Sequence, residues 1–150
     1  MREVTGSLDA TGLRVGVVAA RWNQSITDRL LGSVVARLEE LGADDVVVLH
    51  VPGALEIPVG ARALVETGCD AVVAIGVVIK GETDHYDIVV NQSTSGVSQL
   101  ALETGVPIGN AILAVHDVAD ALARAGAGNA SKGVEAVDAA IETANAIASI

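Results

Sequence analysis

The stretch Ala71-Val72-Val73-Ala74-Ile75-Gly76-Val77-Val78-Ile79 contains no polar side chain. It is far shorter than the ~20 apolar residues of a membrane span. Its Val and Ile content suits the pleated surface of a strand better than a helix. A short continuous apolar run is the pattern of a strand covered on both faces, as in a parallel sheet. Three similar runs flank it: residues 13–19 (LRVGVVA), 46–51 (VVVLHV) and 108–115 (IGNAILAV). Each is bounded by Gly, Pro or polar residues.

Helical periodicity fills the intervals. Residues 25–41 place Ile26, Leu30, Val34, Leu38 and Leu41 on one stripe, stopped by Gly42. Residues 56–66 form a shorter helix with Pro58 in its first turn. Residues 86–103 carry Val89, Val97, Leu100 and Leu102 and end before Gly105 and Pro107. Residues 117–125 open on an Asp cap. Residues 131–147 carry Val134, Val137, Ile141, Ala144 and Ile147. The order β-α-β-α-β-α-β-α-α predicts one α/β domain over residues 1–150, a parallel sheet with right-handed crossovers between two helical layers. Glu3-Val4-Thr5 reads as a stray strand with no partner inside that domain.

Composition narrows the function. The chain has 150 residues, 51% of them hydrophobic, with no Phe, one Trp and one Tyr. A formal net charge of −10 argues against nucleic acid or an anionic membrane surface as a partner, because both need a basic face. The single Cys69 excludes an internal disulfide and fits a reducing compartment, so a cytoplasmic protein is expected. A mean hydropathy of +0.51 suggests apolar surface buried between subunits.

In open parallel sheets ligands bind beyond the carboxyl ends of the strands. Here those ends lead into Ala20-Arg21-Trp22-Asn23, into residues 51–58 (VPGALEIP), into residues 80–86 (KGETDHY) and into His116-Asp117. The only Trp, the only Tyr, two of the three His and two of the three Pro fall in these segments. Gly81 lets a ligand approach the backbone closely. Glu82 and Thr83 stand at a helix start, where free amides and the dipole favour an anion. His85 follows in the first turn and is suited to proton transfer near neutral pH. Trp22 either caps the core or offers a flat face to a ring. Arg124 closes one helix, and Lys132 opens the next with Glu135 within reach; alone, that pair reads as a surface salt bridge. The Gly-rich stretch 126–133 lacks the Gly before Lys132 and the Ser or Thr after it that a phosphate-binding P-loop requires. His50 and His116 read as structural, Cys69 as a small buried residue. No set of side chains has metal-ligand spacing.

Taken together, residues 20–23 (ARWN), 51–58 (VPGALEIP), 76–87 (GVVIKGETDHYD) and 124–136 (RAGAGNASKGVEA) resemble the signature regions of the 6,7-dimethyl-8-ribityllumazine synthase family, in order and with matching spacing. The resemblance implies a flavodoxin-like three-layer αβα sandwich on a four-stranded parallel sheet, with the N-terminal strand added to a neighbouring subunit's sheet. It implies condensation of 5-amino-6-ribitylamino-pyrimidinedione with 3,4-dihydroxy-2-butanone 4-phosphate in riboflavin biosynthesis, through an imine, phosphate elimination and ring closure, with no metal or cofactor. By the same resemblance Trp22 stacks on the pyrimidine. Asn23, Ala54, Leu55, Glu56, Val78, Ile79 and Asn110 line the substrate. Gly81, Glu82, Thr83 and Arg124 hold the phosphate, and His85, Lys132 and Arg124 are catalytic. The family assembles as pentamers or sixty-subunit shells with sites between subunits, and riboflavin synthase is an implied partner. Asp84, Asn110 and Ala114-Val115 depart from the family pattern: Asp84 adds negative charge beside the phosphate loop, and Asn110 stands where many members carry an aromatic.

Overall fold

The structure, a computed structural model, describes residues 1–126 and 131–150. Its centre is β3 (Ala71–Ile79), buried along its length apart from Ile79. β3 pairs in parallel with β1 (Arg14–Ala20) on one side and β4 (Ile108–Val115) on the other. β2 (Asp45–Val51) lies outside β1, so the strand order is β2-β1-β3-β4, all parallel. In register, Val17 stands opposite Val73, and Gly76 opposite Ile112. The expected four-stranded parallel sheet is borne out.

Alternation along β3 divides the core in two. Val73, Ile75 and Val77 face α1 (Gln24–Glu40) and α5 (Lys132–Ala148), where Leu30, Val34, Leu38, Val137 and Ile141 meet them. Val72, Ala74 and Val78 face α2 (Ile57–Glu66) and α3 (His85–Thr104), where Ile57, Ala61, Leu64, Val97 and Leu100 close the second layer. Cys69 is buried in that second cluster. The predicted stripe of α1 is therefore its buried face. α3 ends at Gly105 with φ 71°, a left-handed C-cap that a side chain would strain. α4 (Val118–Arg124) starts on Asp117, whose carboxylate accepts from the Asp120 amide at 2.8 Å. Ser131 caps α5, accepting from Gly133 N at 3.1 Å.

One expectation is corrected. β2 is not covered on both faces: Val46 and Val48 are each 37% exposed, and His50 is exposed beside them. α1 packs over β1 and β3, while α2 reaches β2 only from the other side. The apolar run of β2 thus reflects β propensity and an edge position, not double burial. Within the single chain Glu3-Val4-Thr5 pairs with no strand. The segment lies along α5, with Arg2 Nη2 donating to Ser149 O at 2.9 Å and Asn145 Nδ2 donating to Ser7 O and Asp9 O, each at 2.8 Å. Among the described residues no helix is long and apolar enough to cross a membrane.

The α5–β4 contact is unusually close. A Cβ at Gly109 would collide with the Ala136 carbonyl, a backbone group that cannot rotate aside. Gly109→Ala is expected to lower the unfolding free energy by about 1–3 kcal/mol or more, measured by urea denaturation. An unchanged midpoint and slope would contradict this packing.

Candidate active site at the carboxyl edge of the sheet

β1 leads on to α1 and β2 on one side, while β2 crosses back to β3 on the other. The switch in direction falls between β1 and β3, where a crevice opens beyond the strand ends. Trp22 and Asn23 come from the end of β1, Ala54 and Leu55 from the short 3-10 turn Ala54–Glu56 after β2, Val77, Val78 and Ile79 from β3, and His85 and Val89 from α3. Together they line a cleft of about 170 Å³.

Asn23 organises this cleft. It adopts φ 63°, the only non-glycine residue with positive φ among those described. Asn tolerates that left-handed region better than most residues. The turn lets the chain leave β1 and enter α1 at once, and it aims Asn23 Nδ2 at the Val77 carbonyl, 3.2 Å away. The bond ties the end of β1 to the end of β3 across the switch point. Trp22 N donates to Pro52 O at 2.9 Å, and its ring lies over Gly53, where a Cβ would strike the ring. The ring is nevertheless 61% exposed, so it does not cap the core and keeps a free face.

Glu56 is half-buried, and its Oε2 is buried without a hydrogen-bond partner among the described residues. A buried acceptor of this kind carries a desolvation cost until a donor reaches it. The loop Gly81-Glu82-Thr83-Asp84 is exposed, and α3 begins at His85, also exposed. Thr83 Oγ1 accepts from His85 N at 3.4 Å. Asp84 occupies the cap position but makes no side-chain capping bond. Gly81 does not have positive φ, and a Cβ there would meet nothing within 4 Å, so nothing in the chain itself requires a glycine.

Two cations from the sequence reading stand elsewhere. Lys132 Nζ contacts Glu135 Oε2 at 2.8 Å in the first turn of α5, as the i,i+3 spacing predicts. Arg124 Nη1 donates to Asp120 O at 3.0 Å and lies 3.9 Å from Asp120 Oδ1. Asn110 lines a separate groove with Thr94, Ser95, Ser98, Gln99 and Leu102, and its Oδ1 accepts from Ile112 N at 2.8 Å. The structure thus gathers Trp22, Asn23, Ala54, Leu55, Val78, Ile79 and His85 in one cleft. Glu56, Gly81, Glu82, Thr83, Asn110, Arg124 and Lys132 do not line it. Sequence reasoning missed Val77 and Val89, whose apolar side chains carry no signal of their own. The segment between Arg124 and Lys132 includes residues 127–130, outside those described. Among the described residues no group of three His, Cys, Asp or Glu side chains is placed to hold a metal. His50 and His116 are both exposed, so neither is a core histidine.

The fold defines a three-layer α/β protein with a crevice at the topological switch point of a parallel sheet, the place where such sheets take ligands. The sequence model for 6,7-dimethyl-8-ribityllumazine synthase matches residues 12–148. A 6,7-dimethyl-8-ribityllumazine synthase of Kineococcus radiotolerans is 49% identical over 142 residues, 93% of this chain and 88% of the relative. Proteins of the same name from Bdellovibrio bacteriovorus and Nitratidesulfovibrio vulgaris are 46% and 39% identical, covering 87% and 95% of this chain and 73% and 94% of their own lengths. The chain belongs to the 6,7-dimethyl-8-ribityllumazine synthase family.

Asn23 gives a direct test of the strap between β1 and β3. Asn23→Gly keeps the positive φ and loses the bond to Val77, and is expected to cost about 0.5–1.5 kcal/mol. Asn23→Ala must also hold a Cβ in the left-handed region, about 1–2 kcal/mol more. Chemical denaturation ranking alanine at or above glycine would refute the backbone argument.

Proposed function

We propose that this chain is a 6,7-dimethyl-8-ribityllumazine synthase, condensing 5-amino-6-ribitylamino-pyrimidinedione with 3,4-dihydroxy-2-butanone 4-phosphate in riboflavin biosynthesis. The observation that carries the reading is the cleft at the switch point, with the free face of Trp22 on one side and His85 at its mouth. The face of Trp22 is suited to a planar pyrimidine. Glu56, next to Leu55 of the cleft wall, supplies the acceptor for ribityl hydroxyls. The open space beside Gly81 and the amides of Glu82 and Thr83, just ahead of α3, suit a phosphate. His85 moves protons between the attacking amine, the imine and the departing groups. The pyrimidine amine attacks the ketone, water leaves to form the imine, phosphate is eliminated, and ring closure with loss of a second water completes the product. Nothing in that sequence of steps calls for a redox group.

A cleft of about 170 Å³ falls below the ~300–1,000 Å³ usual for ligand sites, so two substrates need further walls. In this reading Arg124, Lys132 and Asn110 supply those walls from an adjacent subunit of a pentamer, alone or in a sixty-subunit shell. Val59, Ile88 and Leu102, exposed on α2 and α3, suit burial between subunits, and the free edge of β2 suits a neighbour's N-terminal strand. A cytoplasmic location and an association with riboflavin synthase belong to the same reading. A mass in solution of a single chain would count against the shared site.

The function is tested by mixing the purified protein with both substrates and following lumazine fluorescence and released phosphate. No turnover at high protein concentration would overturn the reading. Arg124→Ala is expected to raise KM for the phosphorylated ketone about tenfold or more, the scale of a lost charged hydrogen bond. His85→Ala should lower kcat about 10²–10⁴-fold with a smaller change in KM. Gly81→Ala is expected to leave stability unchanged or slightly higher while weakening use of the phosphorylated ketone. Loss of folding in that variant would contradict the open geometry of the loop.

A further inference from the structure

Helix α4 is two turns long, and Arg124 at its end folds back onto its beginning. Asp117 fixes the start by accepting from Asp120 N at 2.8 Å. Asp120 therefore sits in the first turn, four residues before Arg124. Arg124 Nη1 bonds the Asp120 carbonyl at 3.0 Å, with Asp120 Oδ1 at 3.9 Å. The helix dipole favours a cation at the carboxyl end and disfavours one near the amino end. The backward position of the guanidinium is thus held by Asp120 against the dipole. Both side chains are about half exposed, 49% and 52%, so the guanidinium is parked rather than locked.

We infer that Asp120 is a positioning residue for the reaction: it keeps Arg124 folded on its own helix and so sets the affinity for the phosphorylated substrate. The inference rests on the reading of Arg124 as a phosphate ligand. A phosphate competes with Asp120 for the same guanidinium. It prevails because it offers more oxygens and more charge in a bidentate geometry. Apparent affinity falls by the fraction of time Arg124 spends on Asp120, without any effect on the chemical steps. Removing the carboxylate charge leaves only the bond to the Asp120 carbonyl and so loosens the hold on Arg124, and restoring the charge one methylene further out tightens it again.

The test compares Asp120→Asn, Asp120→Glu, Arg124→Ala and the double variant Asp120→Asn/Arg124→Ala in steady-state assays with both substrates. Expected is a KM for the phosphorylated ketone about two- to fivefold lower in Asp120→Asn at unchanged kcat, the scale of an exposed ion pair. Asp120→Glu should return KM towards the wild type, and Asp120→Asn should have no effect once Arg124 is alanine. A parallel readout without turnover is the rise in thermal midpoint with inorganic phosphate, which should be larger for Asp120→Asn than for the wild type. If Asp120→Asn leaves KM and the phosphate-induced rise unchanged while Arg124→Ala raises KM, the clamp is overturned and the role of Arg124 stands. If Asp120→Asn lowers KM equally in the Arg124→Ala background, a general charge effect replaces the clamp. If Arg124→Ala leaves KM unchanged, the reading of Arg124 fails and the inference with it.

Discussion

The bond from Asn23 Nδ2 to the Val77 carbonyl is the constraint on which the site depends. β1 and β3 run side by side through the core, but their pairing is registered only as far as Ala19 and Ile75. Beyond that point the strands would part. The left-handed turn at Asn23 sends the chain into α1 while its side chain reaches back to β3, so the crevice opens without losing its floor. Trp22 is held beside it through Pro52 and the bare backbone of Gly53. The wall and the floor of the cleft therefore move together.

In an acidic protein every cation stands among carboxylates that can place it. Here both Arg124 and Lys132 have an acid within one helical turn. Neither pair is buried, so each is weak and salt-sensitive, and neither carries the fold. What they do is choose a rotamer for a long side chain that would otherwise sample many. By contrast Arg37, bonded to Asp138 at 2.7 Å and to Glu40 at 3.0 Å, joins α1 to α5. That pairing raises the affinity of Arg37 for its proton, first through the Asp138 hydrogen bond and then through Glu40. Its role is to tie two helices of the core layer together, away from the cleft.

The single chain offers a cleft that is apolar on its floor and open at its mouth, with the two site cations outside it. Enzymes that act on two substrates gain rate by holding them in one geometry. The exposed apolar residues of α2, α3 and β2 lie on faces that the chain itself leaves uncovered. The same faces explain why the hydropathy is high for so small a core.

The amino-acid sequence by itself determined the order of elements, the doubly buried character of β3, the cap at Asp117, and the Lys132–Glu135 pair. Each of these follows from residues within a few positions of one another, where periodicity and helix geometry suffice. The loops at the strand ends were legible for a second reason: rare residues stood out against an aliphatic background. Tertiary structure alone decided the rest. The exposure of one face of β2 depends on where α1 lands. The close seating of Gly109 under Ala136 depends on the approach of α5. The strap from Asn23 to Val77 joins residues 54 positions apart. The same holds for the cleft itself, since Val77 and Val89 became lining residues only when β3 and α3 met. Contacts between distant segments leave no local pattern, because what specifies them is the shape of the whole packed layer.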